Sequence, residues 1–132
     1  MKSKSRSIFF ASALLSIVMA VHAAPETVAV AQVPTMQSQG TLLIDVREPD
    51  EYAQGHAPNS TLIPLGQLEQ RLSELASYKN KPVALICHSG ARSGKAQKLL
   101  QQAGFTAASN VEGGMVAWQK AGLPVVTGMA SK

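Results

Sequence analysis

Apolar residues in this chain fall into short continuous runs, and between the runs they recur at three and four positions. Leu42-Leu43-Ile44-Asp45-Val46 is apolar until it meets a charge, and Val83-Ala84-Leu85-Ile86 is apolar throughout. Runs of this length without polar alternation read as strands buried on both faces. Thr61-Leu62-Ile63, closed by Pro64, is a shorter strand, and Phe105 to Ala108 a weaker candidate. Leu65, Leu68, Leu72 and Leu75 repeat at helical spacing, as do Ala96, Leu99, Leu100 and Ala103 before Gly104. Pro49 near the start of Glu48 to Tyr52 suits a helical turn. Gly113-Gly114 opens a last helix carrying Met115, Val116 and Trp118, which Gly122 and Pro124 end. Buried strands alternating with helices predict an α/β fold, a central mostly parallel sheet with helices on both faces.

The first residues do not fit that pattern. Lys2, Lys4 and Arg6 precede an apolar stretch from Ile8 to Val21, broken only by Ser12 and Ser16. At about 14 residues the stretch is shorter than the 17 or more that span a bilayer. Val21-His22-Ala23 then offers small residues at the two positions a signal peptidase reads. Residues 1–23 therefore read as a signal peptide, with a mature chain that begins near Ala24, lies in the periplasm and keeps no stable membrane insertion. Residues 24–40 form a lead-in in which Pro34 interrupts any long helix, residues 41–127 the domain, and 128–132 a tail.

The leader also changes the charge. The chain holds 12 Lys and Arg against 8 Asp and Glu, a formal +4, but three of the basic residues lie in the leader. The remainder, about 109 residues, carries about +1 and is the size of one domain. It shows no basic face with interleaved aromatics, so nucleic acid is not an expected partner. His56 and His88 are far apart, and no cluster of ligating residues predicts a metal or other cofactor.

Cys87 is the only cysteine, so no intramolecular disulfide can form. It lies where the Val83–Ile86 run breaks into His88-Ser89-Gly90-Ala91-Arg92-Ser93 ahead of a helical pattern. A strand feeding a helix through such a loop turns successive N–H groups into one cup. A helix N-terminus and a nearby arginine can lower a thiol from roughly 8.5 to between about 3.5 and 7.5. That is the environment of a nucleophile; the alternative is a small buried hydrophobe. Gly90 allows backbone geometry that a side chain would obstruct. Arg92 either holds an anionic substrate or braces the loop by bonding carbonyls. Ser89 and Ser93 either donate to the reacting group or cap the helix, and capping is the expected role of Ser93.

Four segments together resemble the successive signatures of single-domain rhodaneses. They are Asp45-Val46-Arg47-Glu48, Gly55-His56-Ala57-Pro58-Asn59-Ser60, the Cys87 to Ser93 loop, and Glu112-Gly113-Gly114-Met115-Val116-Ala117-Trp118. The resemblance covers about Thr41 to Val125 and implies a rhodanese-like fold with a sulfur-transferring cysteine. It implies that Cys87 takes the outer sulfur of a donor such as thiosulfate, releases sulfite and is left as a persulfide. A small thiophilic acceptor, cyanide or a thiol, would then remove the sulfur, and a protein persulfide acceptor is a further candidate partner. The loop residues His88, Ser89, Gly90, Ala91, Arg92 and Ser93 would bind the donor. Asp45 and Arg47 are expected to form a charge network at the strand end, and His56 to bond backbone in its turn. Glu112 with the two glycines would shape the last helix, and Trp118 would pack in the core.

The chain departs from the family pattern at His88, where thiosulfate-using members are often basic; the charge of a histidine depends on pH. Two other functions are compatible with parts of the pattern. Phosphatases and arsenate reductases also place cysteine before arginine in an anion-binding loop, but with one more residue between them. A module that carries sulfur on Cys87, or docks a partner without turning over, would keep the same loop.

Overall fold

A computed structural model describes residues 2–5, 7–16 and 24–129. Five parallel strands form one sheet: β1 (Thr27–Val28), β2 (Leu42–Asp45), β3 (Thr61–Leu62), β4 (Val83–Ile86) and β5 (Ala108–Val111), in the order β1-β5-β4-β2-β3. The α/β class with helices on both faces is as expected, and the sheet is parallel throughout. β4 lies at its centre, with Ile44, Leu85 and Asn110 level across three strands. The helices are α1 (Val33–Ser38), α2 (Pro49–Gln54), α3 (Leu65–Leu68), α4 (Ala91–Gln102) and α5 (Gly114–Lys120).

Strand alternation divides the core in two. Ile44, Val83 and Leu85 face Leu68, Leu75, Ala96 and Leu100, so α3 and α4 cover one side. Leu43, Ala84 and Ile86 face Val33, Met115 and Trp118, so α1 and α5 cover the other. This is the period of two read on both faces at once, which is why residues 42–44 and 83–86 have no polar positions. Trp118 is 1% exposed, as the sequence suggested, and donates its indole N–H to the Pro124 carbonyl at 2.9 Å.

Three elements differ from the sequence reading. The last strand lies at Ala108–Val111 instead of Phe105 to Ala108. Phe105 instead packs among the α4 residues, and the strand hides polar Ser109 by donating its hydroxyl to the Pro25 carbonyl. The leucine repeat at 65–75 forms α3 only to Leu68 and continues as a 3-10 helix over Glu69–Tyr78. Over ten residues, spacings of three and four fit both helix types. Third, the lead-in is structured. Pro34 sits in the first turn of α1, where its missing N–H costs nothing, and β1 pairs with β5.

The signal-peptide cleavage site at Val21-His22-Ala23 lies outside the described residues. Ile8, Phe9, Phe10, Leu14 and Leu15 are 77–94% exposed. Among the described residues no helix is long and apolar enough to cross a membrane.

Candidate active site

The carboxyl ends of parallel strands are where such folds bind ligands, and three strand ends meet around Cys87. β4 delivers Cys87 itself. β2 ends on Asp45, two residues before Arg47. β5 leads into Glu112 and the two glycines that begin α5.

The Cys87 loop depends on glycine at two points, for different reasons. Gly90 has φ +107° and is the residue from which α4 starts; an added Cβ would meet nothing closer than 3.8 Å. Its requirement is conformational. At Gly114, φ is +54° and an added Cβ would overlap the carbonyl oxygens of Cys87 and His88. That close approach lets the N–H groups of Met115 and Val116 donate to those carbonyls, at 2.8 and 3.0 Å. The first turn of α5 thus holds the back of the loop, and its N–H groups, which have no partner within the helix, are satisfied there.

The front of the loop surrounds sulfur. Cys87 is 1% exposed and packs with the α4-side core, yet its Sγ also has polar partners. The Gly90 N–H donates to it at 3.1 Å, and Ser93 Oγ lies 3.2 Å away. Burial pushes the thiol up. The Ser93 hydroxyl and the N–H groups of Ser93, Gly90 and Ser89 outweigh burial, and the thiol falls below its ordinary value. Burial and a lowered thiol, set against each other in the sequence analysis, meet in this residue.

Ser93 does not cap the helix. It is buried in the first turn of α4 and links Cys87 to Asn110, donating to Asn110 Oδ1 at 2.6 Å. Asn110 in turn donates Nδ2–H to the Gly90 carbonyl at 3.0 Å. Asn110 comes from β5, and its place in the site was not foreseen. The strand register, which puts it level with Leu85, is what brings it there.

Arg92 bonds no loop carbonyl. Nη1 and Nη2 donate to Oε1 and Oε2 of Glu51 on α2, at 2.6 and 2.8 Å. The Arg92 hydrogen bond holds the Glu51 carboxyl down at about 2, against 4.5 ordinarily. Glu51 is the second residue that the sequence reading missed, because 41 positions separate it from Arg92. His88 and Ser89 are exposed at the loop tip, and Ala91 begins α4 facing solvent.

The expected charge network at the β2 end is present and buried. Arg47 Nη2 reaches Asp45 Oδ2 at 2.7 Å, with side chains 6% and 0% exposed, and also donates to the Gly55 carbonyl. His56 stacks on Tyr52 with 3.6 Å between centroids and places Nδ1 2.7 Å from the Tyr52 carbonyl. A polar pocket of about 370 Å³ opens beside the loop, lined by Arg47, Glu51, Gln54, Gly55, His88, Met115 and Gln119.

Comparison with known proteins agrees with this fold. The family model for the rhodanese-like domain matches residues 29–121. A sulfurtransferase of Allochromatium vinosum is 39% identical over 89 residues, covering 67% of this chain and 81% of its own length. The thiosulfate sulfurtransferase PspE of Escherichia coli is 36% identical over 70 residues, covering 53% of this chain and 67% of its own. Of three other curated relatives, the chain spans only 40–59% of each one's length. Among solved structures, a rhodanese-related protein from Thermoplasma volcanium superposes with a TM-score of 0.69 at 33% identity. That match covers 77% of this chain and 98% of the other.

Proposed function

This chain belongs to the rhodanese-like sulfurtransferase family, and we propose that it moves a sulfane sulfur from thiosulfate, or a similar donor, to a thiophilic acceptor such as cyanide or a thiol. The Cys87 thiolate attacks the outer sulfur of thiosulfate, the S–S bond breaks, and sulfite leaves with the bonding pair. The enzyme then holds a Cys87 persulfide. Cyanide, or a thiolate, attacks the terminal sulfur, and Cys87 departs as the thiolate it was.

One observation carries this reading: Cys87 Sγ is buried, yet held by hydrogen bonds that favour its anion. Sulfur exchange needs a thiolate both as attacker and as leaving group. The N–H groups are fixed before reaction, by Gly90 on one side and α5 on the other, so they need no reorganisation as charge moves. The likeness to PspE supports thiosulfate as donor. The four residues between Cys87 and Arg92, and the engagement of Arg92 by Glu51, do not favour a phosphatase.

Incubation with thiosulfate should add one sulfur atom to the intact mass, and cyanide should remove it as thiocyanate. Cys87→Ser should do neither, because a serine hydroxyl is scarcely ionised at neutral pH. Steady-state rates should be ping-pong. Thiosulfate turnover by Cys87→Ser would overturn the mechanism. A persulfide that forms but reaches no small acceptor would identify a carrier serving a protein partner.

Export to the periplasm is part of the same proposal. It is supported by the basic start, the short apolar run, and the exposure of Ile8, Phe9, Phe10, Leu14 and Leu15 among the described residues.

A further inference from the structure

Two guanidinium groups stand beside the Cys87 loop, and each already has a carboxylate. Arg47, 5% exposed, is tied to Asp45 through Nε and Nη2 and gives its remaining contacts to the carbonyls of Gly55 and Glu51. Arg92 is paired fork to fork with both oxygens of Glu51. Arg92 stands one residue before Ser93, whose hydroxyl contacts sulfur, and its proton affinity is raised first by the Glu51 hydrogen bond and less by the Cys87 charge. Glu51 is half-buried, lines the pocket next to His88, and is anchored a second time by the Glu48 N–H at 3.2 Å. With its carboxyl held at about 2, it stays charged at any pH at which the enzyme would work. A donor entering the pocket therefore meets the Glu51 carboxylate and Arg47, and neither Arg47 nor the neighbouring Arg92 offers it an unpaired positive charge.

We propose that Glu51 is a specificity-determining residue that, by holding Arg92, disfavours doubly charged sulfur donors relative to singly charged ones. The inference rests on the sulfurtransferase reading and adds to it the donor's charge class. Thiosulfate is a dianion. Methanethiosulfonate presents the same outer sulfur with one charge fewer: the Cys87 thiolate takes that sulfur and methanesulfinate leaves with the bonding pair. The two donors yield the same persulfide, so the ratio of their kcat/KM values isolates the effect of charge.

In Glu51→Gln, the ratio of thiosulfate to methanethiosulfonate should rise roughly 3- to 10-fold, chiefly through a lower KM for thiosulfate. Added salt should shrink that gain, as it does for any partly exposed charge. Glu51→Ala repeats the measurement without a side chain able to bond Arg92, and should shift the ratio in the same direction. Glu74→Gln removes an equal charge from the exposed Arg71 pair and should leave the ratio where it was.

If Glu51 serves only to brace α4 against α2, its loss will slow both donors alike and the ratio will not move; that result overturns the proposal. Persulfide formation on Cys87, followed by mass, separates the two levels of failure. A persulfide with an unmoved ratio removes the role of Glu51 and leaves sulfur transfer standing. No persulfide from either donor removes both.

Discussion

Ser93 Oγ lies 3.2 Å from Cys87 Sγ, and its single hydrogen has two acceptors within reach. One is the cysteine sulfur. The other is Asn110 Oδ1 at 2.6 Å, whose orientation is fixed because Asn110 Nδ2 donates to the Gly90 carbonyl. With a neutral thiol, the S–H can donate to Ser93 while Ser93 donates to Asn110. With a thiolate, a turn of the hydroxyl brings its hydrogen to sulfur. The site thus carries a donor that follows the charge of the Cys87 sulfur without moving the backbone.

Ser93→Ala should raise the Cys87 thiol, since burial remains and its strongest opposing hydrogen bond is gone. The pH dependence of iodoacetamide alkylation measures this, and its midpoint should move upward. Persulfide formation at neutral pH should slow by about tenfold, the kinetic equivalent of losing one hydrogen bond to a charged group. The rate should recover toward wild type as pH rises. Slowing that is equal at every pH would mean that Ser93 acts on geometry alone.

The parts of this site that were legible in the sequence are those whose cause is local. An unbroken apolar run names a two-faced strand, and Cys87 with Gly90 names a loop turning into a helix, because strand, turn and helix start are adjacent in the chain. Glu51 and Asn110 were not legible. Their side chains reach Arg92 and Ser93 only because β2, β4 and β5 lie side by side. Thr27-Val28 was missed for a related reason. Two residues have no readable period, and their strand exists through pairing with Asn110 and Val111. The displaced β5 shows the same limit from the other side: Ser109 and Asn110 are polar by sequence, and only their partners in the fold explain why a central strand can hold them.

Gly114→Ala should be the most damaging single methyl group in the domain. It would hold alanine at φ +54° and press its Cβ into the carbonyls of Cys87 and His88. The backbone strain alone is of order 1–3 kcal/mol, and relief would require α5 to withdraw from the loop. Both melting temperature and persulfide formation should fall. Gly66→Ala is the matched comparison, with open space around its Cβ and no left-handed backbone. It should be neutral or stabilising by up to about 1 kcal/mol.

The Glu51–Arg92 pair gives stability a defined pH dependence. The Glu51 carboxyl is lower in the folded chain, about 2, than its ordinary 4.5. The folded state therefore favours the ionised form. The resulting stabilisation is fully present above about 4.5 and is lost as pH falls through about 2. Both side chains are about one-third exposed, so solvent limits the effect to about 1 kcal/mol or less. Wild type should be more stable than Glu51→Gln at pH 6, and thermal melts should show the gap closing as pH approaches 2. A gap that persists there would assign the difference to packing, not charge.

Ser109 donates its hydroxyl to the Pro25 carbonyl, the Asn110 N–H donates to the Glu26 carbonyl at 2.9 Å, and Gln97 Nε2 reaches the same carbonyl at 2.7 Å. Val28, 4% exposed, then enters the core beside Val111. Among the described residues, hydrogen bonding to the sheet therefore reaches within three residues of the expected cleavage point. N-terminal sequencing of protein recovered from the periplasm should give a start near Ala24; a membrane-embedded chain that still begins at Met1 would contradict export. Removal of residues 1–23 should leave the melting temperature of the domain unchanged. Removal of residues 1–28 should lower it, because burial of Val28 alone contributes about 1.5–3 kcal/mol and Gln97 would lose its acceptor in Glu26. Equal melting temperatures for the two truncations would show that β1 adds nothing to the sheet.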